Sequence, residues 1–182
     1  MIKPLTPSHA AFTLHPLLQY SQHDIIPGHC TSLLWDLREA PIMSVRHVSA
    51  PHIALTEHEL REHATTPPVP VLQITCEILP GGWSMTARNP QGVTLLDILQ
   101  AIHACLQIQL THDEWDAMSL KQQGRISKVF DLRWRVSAAP ASTHANGVIR
   151  ADCLLQHTLF GGLTRSLVTA DSCILTLRRP YP

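Results

Sequence analysis

The fold is decided by residues 71–88, VLQITCEILPGGWSMTAR, together with the segment TLLDILQAIHACL that follows at residues 94–106. Residues 71–79 and 83–88 are rich in β-branched and other apolar residues, and Gly81-Gly82 lies between them. Two such runs joined by a glycine turn predict an antiparallel β-hairpin. The segment behind the hairpin has the apolar spacing of a helix, so it can pack its apolar stripe against a core.

A series of capped helices is predicted after the hairpin. Thr94 can act as an N-cap, and the residues behind it form one apolar stripe at helical spacing: Leu95, Ile98, Leu99, Ile102, Cys105 and Leu106. Residues 111–114, THDE, and residues 119–122, SLKQ, have the spacing of capping boxes, which predicts two further helices. The third helix is expected to end near Phe130, because residues 130–136 alternate between apolar and charged side chains like a strand.

The end of the chain returns to a β-type pattern. Residues 148–155 and 172–177 have the composition of strands, and the small, polar residues 137–147 predict a loop. Phe160-Gly161-Gly162-Leu163 falls in the predicted loop between the two strands. Strands, then helices, then strands predict an α+β fold. We expect a single domain in which an antiparallel sheet carries two or three helices packed on one face.

The first 70 residues differ from the rest of the chain. Residues 1–70 contain nine of the 14 prolines and eight of the 12 histidines, and they show little periodicity. They predict an N-terminal wrapping segment with a short strand near residues 33–37. Residues 56–63, TEHELREH, predict about two helical turns capped by Thr56. Residues 71–182 then form the main α+β core, and the two parts together make one domain.

The overall composition narrows the class of protein. The 182 residues include 14 basic and 14 acidic side chains, so the formal net charge at pH 7 is zero. A protein that binds the phosphate backbone of nucleic acid is usually basic, so nucleic acid is not an expected partner. No run approaches the roughly 18 apolar residues of a membrane-spanning helix, and no signal peptide is recognisable. The sequence therefore predicts a cytoplasmic protein without a membrane partner.

The 12 histidines and five cysteines are scattered along the chain. The odd number and wide spacing of the cysteines predict reduced, mostly buried thiols. His58 and His63 lie five residues apart, which places them on different sides of a helix. His23, His29 and Cys30 have irregular spacing and no fourth ligand. We therefore expect no metal and no cofactor, although the histidine-rich composition predicts a net charge that rises as the pH falls below 7.

One set of residues could serve an enzyme. On a strand, alternation places Arg150 and Asp152 on the same face, where they predict either a structural ion pair or part of a polar site. If a cleft opens there, Asp152 could orient His157 and Arg150 could bind an anion. The alternative function is then a small-molecule hydrolase, isomerase or cyclase that works by acid/base catalysis with Asp152, His157 and Arg150. The familiar glycine-rich nucleotide-binding motifs are absent from the sequence.

A second set of residues indicates a protein interface. Trp134 lies between Arg133 and Arg135, and tryptophan and arginine are the residue types that most often anchor interfaces. The leading hypothesis is therefore a non-enzymatic interaction or scaffolding domain, which binds a protein partner or another copy of itself. A small-molecule ligand is the alternative.

Several short motifs, taken in order, resemble a known family. They are Trp35-Asp36-Leu37, Gly92-Val93-Thr94 with Asp97 and Ile102, Thr111-His112-Asp113-Glu114-Trp115, Arg150-Ala151-Asp152-Cys153-Leu154 and Phe160-Gly161-Gly162-Leu163. Together they resemble an uncharacterised domain family that is widespread in mushroom-forming fungi, over roughly residues 15–178. The resemblance implies a small, soluble, intracellular fungal protein, and it supplies no catalytic residues.

Overall fold

A four-stranded sheet forms one layer of the molecule, and the predicted hairpin lies at its edge. The computed structural model describes residues 12–23, 30–79 and 83–180. Strands β6 (Val71–Thr75) and β7 (Ser84–Arg88) pair antiparallel in one continuous register, as predicted. The predicted Gly81-Gly82 turn lies outside the described residues.

The last two strands complete this sheet. Strands β8 (Leu159–Arg165) and β9 (Ser172–Arg178) pair antiparallel, and the strand order is β7-β6-β9-β8. Strand β9 pairs with β6 in parallel. Parallel strands need a long connection, and the chain between these two strands includes the helical section. The predicted α+β class is confirmed, and its main sheet is antiparallel except at this central pair.

Helix α3 (Leu95–Leu106) packs across the sheet through the predicted apolar stripe. All six residues of the stripe are buried. The first 70 residues contribute to the same core, because Leu18, Trp35 and Leu37 belong to the same cluster of buried side chains. Part of the chain predicted to wrap the domain therefore lies inside its core.

The remaining elements are short, except for one long helix. Two small antiparallel sheets are formed by β1 (Thr13–Leu14) with β5 (Thr65–Thr66), and by β2 (Leu33–Leu34), β3 (Arg46–His47) and β4 (Ala50–Ala54). The other helices are α1 (Pro41–Ser44), α2 (Glu57–Leu60), α4 (His112–Asp116), α5 (Leu120–Val136) and α6 (Pro140–Ala145). None of the helices in the described part of the chain combines the length and apolar character needed to cross a bilayer.

Three predictions about the second half of the chain are wrong. Helix α5 continues to Val136 and does not end at Phe130, and α6 lies within the predicted loop 137–147. Residues 160–163, which were expected in a loop, belong to strand β8. Alternation over 130–136 imitates a strand, but the basic residues of the last turn stabilise the helix end by their interaction with its dipole.

The predicted strand at residues 148–155 is also wrong. Residues Arg150–Leu154 form a 3₁₀ helix instead. The Ile149 backbone N–H donates to the Asp152 carboxylate at 3.0 Å, and the Asp152 N–H donates to the Ile149 carbonyl at 2.9 Å. These two hydrogen bonds close a helical turn where the pattern of residue types favours an extended chain.

The described cysteines agree with the sequence prediction of unpaired, mostly buried thiols. All five are free, and four of them are buried: Cys76, Cys105, Cys153 and Cys173. Burial raises the pKa of the Cys153 thiol and of the Cys173 thiol to about 12. Both therefore stay protonated at neutral pH and serve as core residues rather than nucleophiles.

Four helices begin with a capping box, in which the N-cap side chain and the third helical residue bond each other's backbone N–H. Three of the partner residues are acidic: Glu59, Asp97 and Glu114. Hydrogen bonds from Thr56 lower the pKa of Glu59. Burial opposes ionisation of Asp97 and Glu114, but hydrogen bonds outweigh it and lower the pKa of both. The caps therefore stabilise the carboxylate forms.

This arrangement predicts acid-sensitive stability. A carboxyl group whose pKa is lowered on folding contributes stability above its unfolded pKa, about 4 for these residue types, and loses it as the pH falls through the folded value. We expect the free energy of unfolding, measured by urea titration, to decrease between pH 5 and pH 3. A variant combining Glu59→Gln, Asp97→Asn and Glu114→Gln should show a shallower decrease. An equal slope in the variant would contradict this assignment.

Candidate binding cleft

An open cleft of about 690 Å³ lies beside helix α5. Helix α5 forms one wall, and the 3₁₀ helix region forms the floor with Ile149, Ala151 and Leu155. Arg38 and Glu39, in the turn after Trp35, lie on the remaining side. The volume is within the range of ordinary ligand-binding sites.

Helix α5 presents an unusual surface to the cleft. Ile126 is the one buried residue among the 17 of this helix. Leu132 and Val136 line the cleft with 65% and 83% of their surface exposed, and Arg125 and Lys128 line it one to three turns earlier. One stripe of the helix is therefore basic at its beginning and apolar at its end, and this stripe is open to solvent.

A buried ion pair fixes α5 to the floor of the cleft. Arg133 donates to both oxygens of the Asp152 carboxylate, from Nε at 2.7 Å and from Nη2 at 2.8 Å. Arg133 Nη2 also donates to the Gly147 carbonyl at 2.9 Å. Only 1% of the Asp152 side chain is exposed, compared with 25% of Arg133. The Ile149 N–H donates a third hydrogen bond to Oδ2, so the carboxylate is held by three hydrogen bonds, of which the two from Arg133 are charge-assisted.

The predicted ion pair between Arg150 and Asp152 is wrong. Arg150 instead donates to Glu114 Oε1 at 2.7 Å and lies over the Trp83 ring, 4.6 Å from its centroid. Trp83 Nε1 donates to the same Glu114 oxygen at 2.7 Å. The 3₁₀ helix is responsible for this difference, because it turns neighbouring charges in different directions where a strand would align them.

The candidate catalytic residues therefore lie in separate environments. The His157 ring accepts a hydrogen bond from Arg179 Nε at 3.1 Å, whereas Asp152 is bonded to Arg133. Asp152 lines the cleft, but His157 and Arg150 are not among its lining residues. The structure does not bring these three side chains together as one acid/base group.

Arg133 also separates from Trp134 and Arg135, the other two predicted interface residues, because residues 133–135 lie on a helix. Arg133 points to Asp152, while Trp134 packs edge-on against His144 of α6, with ring centroids 5.0 Å apart. Arg135 lies over the Trp134 ring at 5.3 Å from its centroid. Of the three, only Arg133 lines the cleft.

Leu155 adds a strained position to the cleft. Its backbone has φ +53° and ψ −107°, and the His157 N–H closes the turn on the Leu154 carbonyl at 2.8 Å. These angles match the first central residue of a type II′ turn, a position that favours glycine. A leucine there costs about 1–3 kcal/mol, and such positions concentrate at functional sites.

The described residues contain no group of three or more His, Cys, Asp or Glu side chains arranged to hold a metal. His58 and His15 instead contact Glu62, at 3.4 Å and 2.9 Å. His29, which the sequence places near His23 and Cys30, lies outside the described residues. No cofactor can therefore be assigned to a described cluster of this kind.

Sequence reasoning missed the cleft wall formed by Arg125, Lys128, Leu132 and Val136. A signal was present, because these four positions fall on one stripe of a continuous helix. A helix that ends at Phe130, as predicted, does not include Leu132 and Val136, so the stripe is not recognised. Leu155 carried no signal, since a leucine gives no indication of a positive φ.

The fold and the cleft together define a small α+β domain with an open groove beside a long amphipathic helix. The chain belongs to the family of unknown function DUF6699, whose model matches residues 33–172. No curated protein and no solved structure shows significant similarity to the chain. The resemblance predicted from the sequence is thus confirmed at the level of a family of unknown function, and the match includes every residue that lines the cleft.

Proposed function

We propose that this protein is a non-enzymatic interaction domain that holds a segment of a protein partner in the cleft. The observation that carries the proposal is the solvent-exposed apolar stripe of α5, at Leu132 and Val136, beside an apolar floor. Exposed apolar side chains that line a groove are typical of protein-binding sites. A fungal and intracellular protein is part of the same proposal, and rests on the sequence resemblance and the unpaired cysteines.

The openness of the cleft favours a protein segment over a small molecule. Small-molecule sites bury most of the surface of their ligand. Here the Leu132 and Val136 side chains remain largely accessible to solvent, at 65% and 83%. A shallow groove of this kind can bury apolar side chains presented by a helix or a peptide.

The state of Asp152 supports the non-enzymatic function. A general base needs a lone pair that can reach a substrate proton. Both oxygens of Asp152 accept hydrogen bonds, from Arg133 and from the Ile149 N–H, and the side chain is buried. The hydrolase, isomerase or cyclase alternative would need another base in the cleft.

The strained turn at Leu155 gives further support. Glycine would relieve the backbone strain, but it would also remove an apolar side chain from the floor of the cleft. A strained residue lowers the stability of the protein, and its presence at a surface groove supports a role in binding for which that stability is given up.

A peptide selection tests this function. The full chain is used to select binders from a display library of random helical and extended peptides. We expect Leu132→Ser and Leu155→Gly each to reduce the affinity of the selected peptides at least about tenfold, because each removes an apolar contact. Leu120→Ser, on the same helix and 86% exposed, does not line the cleft and should leave affinity unchanged.

Thermal melts separate binding from folding in the same set of variants. Leu132→Ser and Leu120→Ser should each retain the wild-type Tm within a few degrees, since both side chains are mostly exposed. Selection of no peptide, or equal loss of affinity for Leu120→Ser and Leu132→Ser, would overturn the proposal. A small molecule that copurifies with the wild type and is lost from Leu132→Ser would favour the ligand-binding alternative.

A further inference from the structure

We infer that the segment held in the cleft is an acidic amphipathic α-helix of another protein, whose carboxylates lie against Arg125 and Lys128. This inference rests on the proposed function and adds the chemistry of the partner. It depends on three features of the cleft: unpaired positive charge, the spacing along α5, and the lack of a sheet edge.

The positive charge on the α5 wall has no acidic partner among the residues that the structure describes. Arg125 and Lys128 are exposed, and no described carboxylate lies within ion-pair distance of either. The other two basic residues that line the cleft are paired, Arg38 with an aspartate of its own turn at 2.6 Å and Arg133 with Asp152. Two cations therefore remain available for an external anion.

The acidic residue that lines the cleft outside α5 gives the bound segment a preferred orientation. Glu39 lines the cleft and repels carboxylates that approach its side. A partner with acidic residues is therefore favoured when those residues face α5. Charge complementarity thus selects both the type of partner and the side on which its carboxylates lie.

The order of residues along α5 matches an amphipathic helix. Arg125 and Lys128 precede Leu132 and Val136 on one stripe, so the wall changes from basic to apolar between Arg125 and Val136, which lies 11 positions further along the helix. At 1.5 Å per residue, this wall is about 16 Å long, or about three helical turns. A helix of similar length can place acidic residues at one end and leucine-like anchors at the other.

A helix suits this groove better than an added strand. Peptides that bind as strands pair their main chain with an exposed sheet edge. The cleft is lined mainly by α5 and by the 3₁₀ helix region, and none of its lining residues belongs to one of the strands β1 to β9. The groove therefore offers side-chain contacts, and these are what a helix face provides.

The test uses three display libraries of about 16-residue amphipathic helices with the same randomised apolar face. Their flanking positions are all Glu, all Gln or all Lys. We expect the wild-type chain to enrich binders from the Glu library at least about tenfold over the other two at low salt. The affinity of these binders should fall when the salt concentration is raised from about 0.05 to 0.5 M, because exposed charges are screened.

Charge-removing variants assign the effect to the cleft. The double variant Arg125→Gln with Lys128→Gln should bind the Glu-library peptides at least about tenfold more weakly and with little salt dependence. Lys121→Gln provides the control, since Lys121 is an exposed cation of α5 that does not line the cleft. It should bind like the wild type.

The possible results separate this inference from the proposed function. Equal enrichment from the three libraries, with loss of binding in Leu132→Ser, would overturn the acidic partner while leaving the interaction domain intact. No enrichment from any library, together with a concentration-dependent dimer that Leu132→Ser abolishes, would replace the external helix by a second copy of this chain. Preferential enrichment from the Lys library would also overturn the inference.

Discussion

Replacing Arg133 with methionine is expected to lower the free energy of unfolding by about 3–5 kcal/mol. The change leaves the Asp152 carboxylate buried, at 1% exposure, with the Ile149 N–H as its only remaining donor of those described here. An uncompensated buried charge is costly because the interior solvates it poorly. Urea unfolding monitored by circular dichroism measures the difference.

Arg135→Met is the matched control for this variant. Arg135 lies on the same helical segment, is 61% exposed and approaches Asp131 only to 4.0 Å. Its replacement should change stability by no more than about 0.5 kcal/mol. Combining Arg133→Met with Asp152→Asn should recover part of the loss, because the buried group is then neutral. A cost for Arg133→Met below about 1 kcal/mol would show that the pair does not hold α5 in place.

This ion pair also links stability to the proposed function. Arg133 and Asp152 both line the cleft, and their bonds join α5 to the 3₁₀ helix. The pair therefore fixes the wall formed by α5 against the floor of the groove. Under the proposed function, Asp152 is a positioning residue for the groove, a role that its sequence pattern alone does not indicate.

Replacing Gly162 with alanine is expected to destabilise the protein by about 2–5 kcal/mol. Its φ is +106°, and a Cβ there would lie 2.7 Å from both the backbone N and the Cα of Tyr20. The segment before Tyr20 runs alongside β8, where Gln19 bridges to Leu163. The alanine must therefore push backbone away from backbone and also adopt a strained conformation.

Gly124→Ala provides the contrasting substitution. Gly124 lies in α5, has no positive φ, and a Cβ there would meet no atom within 4 Å. Alanine should therefore raise stability by about 0.5–1 kcal/mol through its higher helix propensity. Thermal unfolding should show opposite shifts in Tm for the two variants. If Gly162→Ala melted at the wild-type temperature, the close approach of Tyr20 to β8 would be contradicted.

Much of the fold could be predicted because its signals are local. The hairpin at 71–88 and helix α3 follow from turn residues, apolar spacing and a capping threonine. The capping boxes at residues 111–114 and 119–122 begin helices as predicted. The caps and the apolar stripe depend on side chains about four positions apart, and the hairpin joins two neighbouring segments, so the pattern and the structure agree.

The errors occur where a distant contact outweighs the local pattern. Residues 148–155 alternate like a strand, but the Asp152 carboxylate bonds to Arg133, which is 19 residues away, and to the Ile149 N–H. Gly161 and Gly162 suggest a flexible loop, whereas they lie in β8 where another segment passes close by. Sequence periodicity contains no information about such partners.

The candidate site shows the same difference between local pattern and tertiary contact. Arg150, Asp152 and His157 are close in sequence, yet each bonds to a different partner: Glu114, Arg133 and Arg179. Whether residues that are close in sequence also bring their side chains together depends on the local backbone conformation. The prediction of a strand therefore led to an incorrect pairing of charges.

The α+β class, the hairpin, the capped helices and the unpaired, mostly buried cysteines follow from the sequence alone, because short-range patterns of polarity and turn residues specify these features. The cleft, its basic and apolar wall on α5 and the strained turn at Leu155 arise only in the folded chain. These depend on how far α5 extends and on which acid Arg133 meets. Both are settled by the packing of segments that are distant in sequence, through contacts that no local pattern encodes.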